Sequence, residues 1–105
     1  MLSIAILHFN HDKLTNDCLR SVLTQEIPYP HEIIIVDNGS ENLYPARKEA
    51  KLIRLARNRG ITGGINACFE FSKYDWVLFI SNDFNKLLLA SSPSPSHISD
   101  IPFKR

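Results

Sequence analysis

The chain reads as an α/β domain built on a parallel sheet of about four strands flanked by helices. Three observations predict it. Short, largely apolar runs with β-branched content recur along the first 84 residues, stretches with helical spacing separate them, and the crossovers are roughly 15–25 residues long. Strands that alternate with helices in this way pair in parallel through right-handed crossovers, which gives a Rossmann-like half.

The first element is Ser3–Phe9, "SIAILHF", a strand. Asn10 follows where a helix cap belongs, and Leu14, Cys18, Leu19, Val22 and Leu23 then recur at the spacing of one helix face. That helix should stop before Pro28 and Pro30. Glu32–Ser40, "EIIIVDNGS", carries four successive β-branched residues, the mark of a strand buried on both faces, and Asn38-Gly39 closes it with a tight turn. Pro45 is expected to open a short helix over Ala46–Ala50, and Lys51–Ala56 is a weaker strand. "NRGITGGINACFEFS" places Ile61, Ile65, Cys68, Phe69 and Ser72 on one helix face. Trp76–Ile80 is the last strand and runs into Ser81-Asn82-Asp83. Residues 1–84 therefore form the domain. Residues 85–105 form a Ser/Pro-rich tail, irregular or disordered, in which Leu87–Leu89 would dock as a short helical turn on the sheet edge.

Composition excludes several functions. Twelve basic and eleven acidic residues leave a formal charge of +1, which offers no electrostatic footprint for nucleic acid. Cys18 and Cys68 have no metal-type spacing and read as free thiols in a reducing compartment, and the four histidines make no paired motif. Neither G-x-G-x-x-G nor G-x-x-x-x-G-K-[ST] occurs. No run of about 18 apolar residues suggests a membrane span. The expected location is cytoplasmic.

In a parallel α/β sheet, ligands bind outside the carboxyl ends of the strands. Four polar clusters follow the four strands: Asn10; Asp37-Asn38; Asn58-Arg59-Gly60; and Ser81-Asn82-Asp83. On one rim they would converge with the N-termini of both long helices, where free N–H groups suit an anion. Gly60, Gly63 and Gly64 would let a bulky group approach the backbone. Each piece also has a plainer reading. Asp37 could make only an Asx-turn, Asn10 only a cap, and Gly63-Gly64 only a close helix–sheet contact.

Taken together, "SIAILHFN", "LRSVLTQ", "EIIIVDNGS", "NRGITGGINACFE" and "DWVLFISND" resemble the N-terminal half of family 2 glycosyltransferases of the GT-A fold, over about residues 2–84. The resemblance implies a nucleotide-diphospho-sugar donor and inverting transfer to an acceptor hydroxyl. It implies that Asp37 accepts a hydrogen bond from the nucleobase and that the loop of Phe9 and Asn10 frames base and ribose, with Phe9 as a stacking surface. Asn58, Gly60 and Asn66 would line the cleft. Asn82 and Asp83 match the metal-holding position, with Asp83 the ligand of a Mg²⁺ or Mn²⁺ that steadies the diphosphate. Ser81 replaces the first carboxylate of that motif, which weakens the metal site.

The family's catalytic base and acceptor pocket come from a second half that has no counterpart here, so no catalytic residue is assigned. The chain reads as a truncated donor half, with a homodimer or a complementing chain as the expected partner. Its acceptor is undefined, sugar or lipid-linked, and peripheral placement at the inner face of a membrane is compatible with it. The alternative is an inactive half-domain used for binding or oligomerisation.

Overall fold

The structure, a computed structural model, describes residues 2–81 with their side chains and residues 86–91 as strand backbone. The elements are β1 (Leu2–His8), α1 (Asp12–Leu23), β2 (His31–Asp37), β3 (Lys51–Arg54), α2 (Gly60–Phe71), β4 (Trp76–Ser81) and β5 (Lys86–Ser91). They form one sheet in the order β3-β2-β1-β4-β5. The first four strands are mutually parallel, as the alternation predicts, with Leu2 opposite both His31 and Trp76. β5 pairs antiparallel with β4.

Continuous apolar runs arise because each central strand is covered twice. Ala5, Leu7, Ile34, Val36, Val77 and Phe79 face α2 and pack on its Ile65, Ala67, Cys68 and Phe69. Their alternates Ile4, Ile6, Ile33, Ile35 and Ile80 face α1 and meet Cys18, Leu19 and Val22, with fully buried Tyr44 closing that side. Phe69 meets Phe79 edge-on at 4.9 Å, the favoured aromatic geometry.

Four local expectations differ from the structure. Residues 45–50 form no helix; Arg47 and Ala50 make an isolated bridge across a turn. Five residues are too few to offset helix nucleation, and Arg47 is drawn instead to Asn16 Oδ1 at 2.8 Å and over the Tyr44 ring. Asn10 is not the cap of α1. The cap position is His11, which makes no side-chain cap bond. The buried face of α1 is turned from the expected one: Thr15 is buried, whereas Leu14 and Leu23 are exposed. Leu87–Leu89 lie within β5, a strand rather than a helical turn, because the open side of β4 supplies a full ladder of backbone partners. Residues 92–105 of the expected tail lie outside the described residues.

Candidate functional site

β1 sits between β2 and β4, and chain order reverses across it. Such a reversal opens a crevice at the carboxyl ends of the strands, the usual ligand position in this architecture. Here it is a cleft of about 60 Å³ lined by Leu7, Phe9, Asn38, Asn58, Gly60, Ile61 and Ser81. The sequence places Phe9, Asn58 and Gly60 in the site, and the structure brings all three together.

The α2 side of the cleft is shaped by close contacts. Gly60 has φ +74° and Gly39 φ +73°, backbone that side-chain-bearing residues rarely adopt. A Cβ on Gly39 would lie 2.2 Å from the Asn58 nitrogen, so the turn after β2 rests directly on the chain entering α2. A Cβ on Gly64 would lie 2.8 Å from Leu7, so Gly64 serves close helix–sheet packing. Asn38 ties the two segments: its Oδ1 accepts from Arg59 N at 3.0 Å and its Nδ2 donates to Gly60 O at 3.1 Å. Asn58 Oδ1 accepts from Gly60 N at 2.7 Å. Two amides at the start of α2 are thus met by asparagine side chains, which narrows the expected anion site.

Asp37 stands elsewhere. It is 1% exposed and faces α1, not the cleft. Its Oδ1 accepts from Ser40 N and its Oδ2 from Tyr44 N, each at 3.0 Å. Burial pushes its carboxyl pKa up, but donation from the Ser40 hydroxyl and from the Tyr44 and Ser40 amides, with the nearby His8 ring, brings it below the ordinary value. Beside it His8 is fully buried, in contact with Thr15 Oγ1 and with Nε2 3.4 Å from Asp12. Its ring packs on Tyr44 at 4.6 Å. Asp37 thus holds its own loop through amides three and seven residues on, rather than through an Asx-turn, and the residue that lines the cleft is Asn38.

Asn10 joins the two loops above the strands: its N–H donates to Ser40 Oγ at 2.8 Å and its Oδ1 accepts from Glu41 N at 3.1 Å. Asn66 lies along α2, half-buried, and its Oδ1 is buried without a hydrogen-bond partner among the described residues. Asn82 and Asp83 lie outside the described residues. Among the described residues no group of three or more His, Cys, Asp or Glu could hold a metal, and the cleft lining carries no carboxylate. The described rim does not by itself fit a divalent cation. Burial raises the pKa of both Cys18 and Cys68, with the Asp17 charge adding to the effect at Cys18, so neither thiol is an activated nucleophile.

Sequence reasoning placed Asn38 and Ser81 in the rim clusters without giving them a ligand role, and it missed Leu7, Ile61 and Ser40. One signal was available for Asn38: alternation along a strand puts it on the face of Ile34 and Val36, with α2 and its glycines, and Asp37 on the other.

A parallel α/β sheet with a cleft at the reversal of strand order belongs to the Rossmann-like class of ligand-binding domains. Within that class the chain belongs to glycosyl transferase family 2, whose profile matches residues 3–85. It is 30% identical over 88 residues to poly-beta-1,6-N-acetyl-D-glucosamine synthase of Staphylococcus epidermidis, covering 78% of this chain and 21% of that protein. The chain thus spans about a fifth of the length of that curated relative. The fold is similar to part of S. aureus TarS 1-349, whose structure in complex with UDP-GlcNAc matches with a TM-score of 0.65 at 23% identity, over 78% of this chain and 26% of the other. The mannosyltransferase PcManGT from Pyrobaculum calidifontis, in complex with GDP-Man and Mn2+, also matches with a TM-score of 0.65, at 18% identity, over 93% of this chain and 30% of its own.

Proposed function

We propose that this chain is the donor-binding part of a glycosyltransferase, binding the nucleoside diphosphate of an activated sugar across the strand-end rim, with only part of it seated in the small β1–β4 cleft, for inverting transfer to an acceptor hydroxyl. The observation that carries the reading is the cleft itself, at the strand-order reversal of a family 2 chain and lined by one aromatic ring and two asparagines. Phe9 offers an apolar face to a base. Asn38, its amide held by Arg59 N and Gly60 O, walls the cleft beside it, and Gly60 leaves the α2 entrance without a side chain. Relatives of the same fold are seen with UDP-GlcNAc and with GDP-Man, which supports a nucleotide-sugar donor without choosing the base.

A divalent cation at the diphosphate would have to draw on Asp83, two residues beyond Ser81. The Mn2+ in the PcManGT complex supports this family-level expectation, and Asn82 would stand beside it. No helix among the described residues is long and apolar enough to cross a membrane. We place the chain in the cytoplasm, where its two free cysteines stay reduced, with peripheral membrane contact and pairing with a second chain as companion expectations.

Calorimetric titration with UDP, dTDP and GDP, with and without Mn²⁺, tests the reading. One nucleotide should bind, more tightly with metal, and Phe9→Ala should weaken it about tenfold through lost ring contact. A folded chain that binds none of the three would overturn it in favour of a binding or oligomerisation module.

A further inference from the structure

We propose that Asp37 and Ser40 serve the cleft as positioning residues: they clasp Asn10 and so fix Phe9 at the cleft, without touching the ligand themselves. The inference rests on the reading of the cleft as a nucleotide site.

The loop from β1 to α1 is Phe9-Asn10-His11. Asn10 and His11 both have φ +51°, two successive left-handed residues that are not glycine. Asn tolerates this region and His does so less readily, so the conformation persists only where neighbours impose it. Neighbours in the loop after β2 hold Asn10. Ser40 Oγ accepts the Asn10 N–H at 2.8 Å, and Glu41 N donates back to Asn10 Oδ1 at 3.1 Å. His8 O accepts from Asn38 N at 2.7 Å, extending the β1–β2 ladder into these loops. The two loops are thus cross-linked 30 residues apart in sequence.

The clasp is anchored by charge. A hydroxyl oxygen has lone pairs to receive with. Ser40 receives the Asn10 amide on its hydroxyl oxygen, and its backbone is held by the Asp37 carboxylate. Its own N–H goes to Asp37 Oδ1 at 3.0 Å. Hydrogen bonds to an ionised acceptor are the stronger kind. A buried carboxylate therefore orients Ser40, Ser40 orients Asn10, and the residue before Asn10 is the aromatic ring that lines the cleft.

A double-mutant cycle on nucleotide affinity tests this. Ser40→Ala should weaken binding of the nucleotide preferred by the wild type about tenfold, and Ser40→Thr, which keeps the hydroxyl, should restore it. In a Phe9→Ala background, Ser40→Ala should change affinity less than twofold, because the ring it positions is gone. An equal loss in both backgrounds, or none in either, would overturn the inference. Amide hydrogen exchange on the ligand-free protein is the independent arm. Ser40→Ala should speed exchange at Asn10 at least tenfold while the β2 amides keep their protection, and unchanged exchange at Asn10 would mean that the clasp does not hold the loop. A wild-type chain that binds no nucleotide would overturn the reading of the cleft, and the exchange result would still decide whether the clasp exists.

Discussion

On the α1 face of the sheet, the last residues of β1 and β2, His8 and Asp37, turn inward onto Thr15, Tyr44 and Ser40. On the α2 face, the adjoining Leu7 and Asn38 border a cleft beneath Gly60 and Ile61. The strands are the same and the rim is the same. One side is filled with polar groups that satisfy one another, while the other is narrowed by glycines and left with space. The difference teaches that a rim residue's role follows from its parity along the strand. Side chains of one parity hold loops, and those of the other can meet a ligand.

The change that should disturb the comparison most is Gly39→Ala, since Gly39 is where the turn after β2 rests on the entry to α2. Its Cβ would need to occupy space 2.2 Å from a backbone nitrogen, at φ +73°. We expect a loss of about 4 kcal/mol in urea-unfolding stability, combining overpacking with a left-handed penalty. Next, Asp37→Ala strips the α1 side of its anchor and leaves two buried amides without an acceptor. About 3 kcal/mol should be lost in the same measurement, with nucleotide affinity falling through the displaced loop.

Acid should imitate that change in part. The Asp37 pKa is lower in the fold than its ordinary 3.8, so its carboxylate contributes stability that is complete above about pH 5 and is lost as pH falls through 3.8 toward the folded value. Urea midpoints measured between pH 6 and 3 should fall at the acid end, and Asp37→Asn should flatten that part of the profile. The smallest effect is expected from Gly60→Ala on the open side. Nothing lies within 4 Å of the added Cβ, and only φ +74° opposes it. A cost of about 1 kcal/mol follows. A cost equal to that of Gly39→Ala would remove the contrast between a packed turn and an open one.

Much of this architecture was legible in the sequence. Ile33–Val36 and Trp76–Ile80 read as strands because burial on both faces leaves a continuous apolar run, and α2 read as a helix from the spacing of Ile65, Cys68 and Phe69. The rim was legible too, because parallel strands place their polar ends together. What failed was decided by partners distant in sequence. Asn10 looked like a cap until Ser40 and Glu41 supplied other bonds. The stretch at 45–50 looked helical until Asn16 captured Arg47. Asp37 looked like a ligand contact because its chemistry suits one, and only alternation along β2 could have assigned it to the opposite face. β5 carried no alternation, and its place depends on the free side of β4.

The strand order also sets an order of assembly. β1 precedes β2 and β4 in this sequence and lies between them in the sheet, with Leu2 opposite His31 on one flank and opposite Trp76 on the other. The first pairing closes a loop of 29 positions (2 to 31) and the second one of 74 (2 to 76), an entropic difference of about 0.8 kcal/mol. The β1–α1–β2 unit should therefore form the nucleus, with β4 zipping onto it later. Substitutions at Ile33 or Ile35 should slow refolding, and those at Val77 or Phe79 should mainly hasten unfolding. The cleft, which needs both flanks of β1, is then among the last features of the molecule to appear.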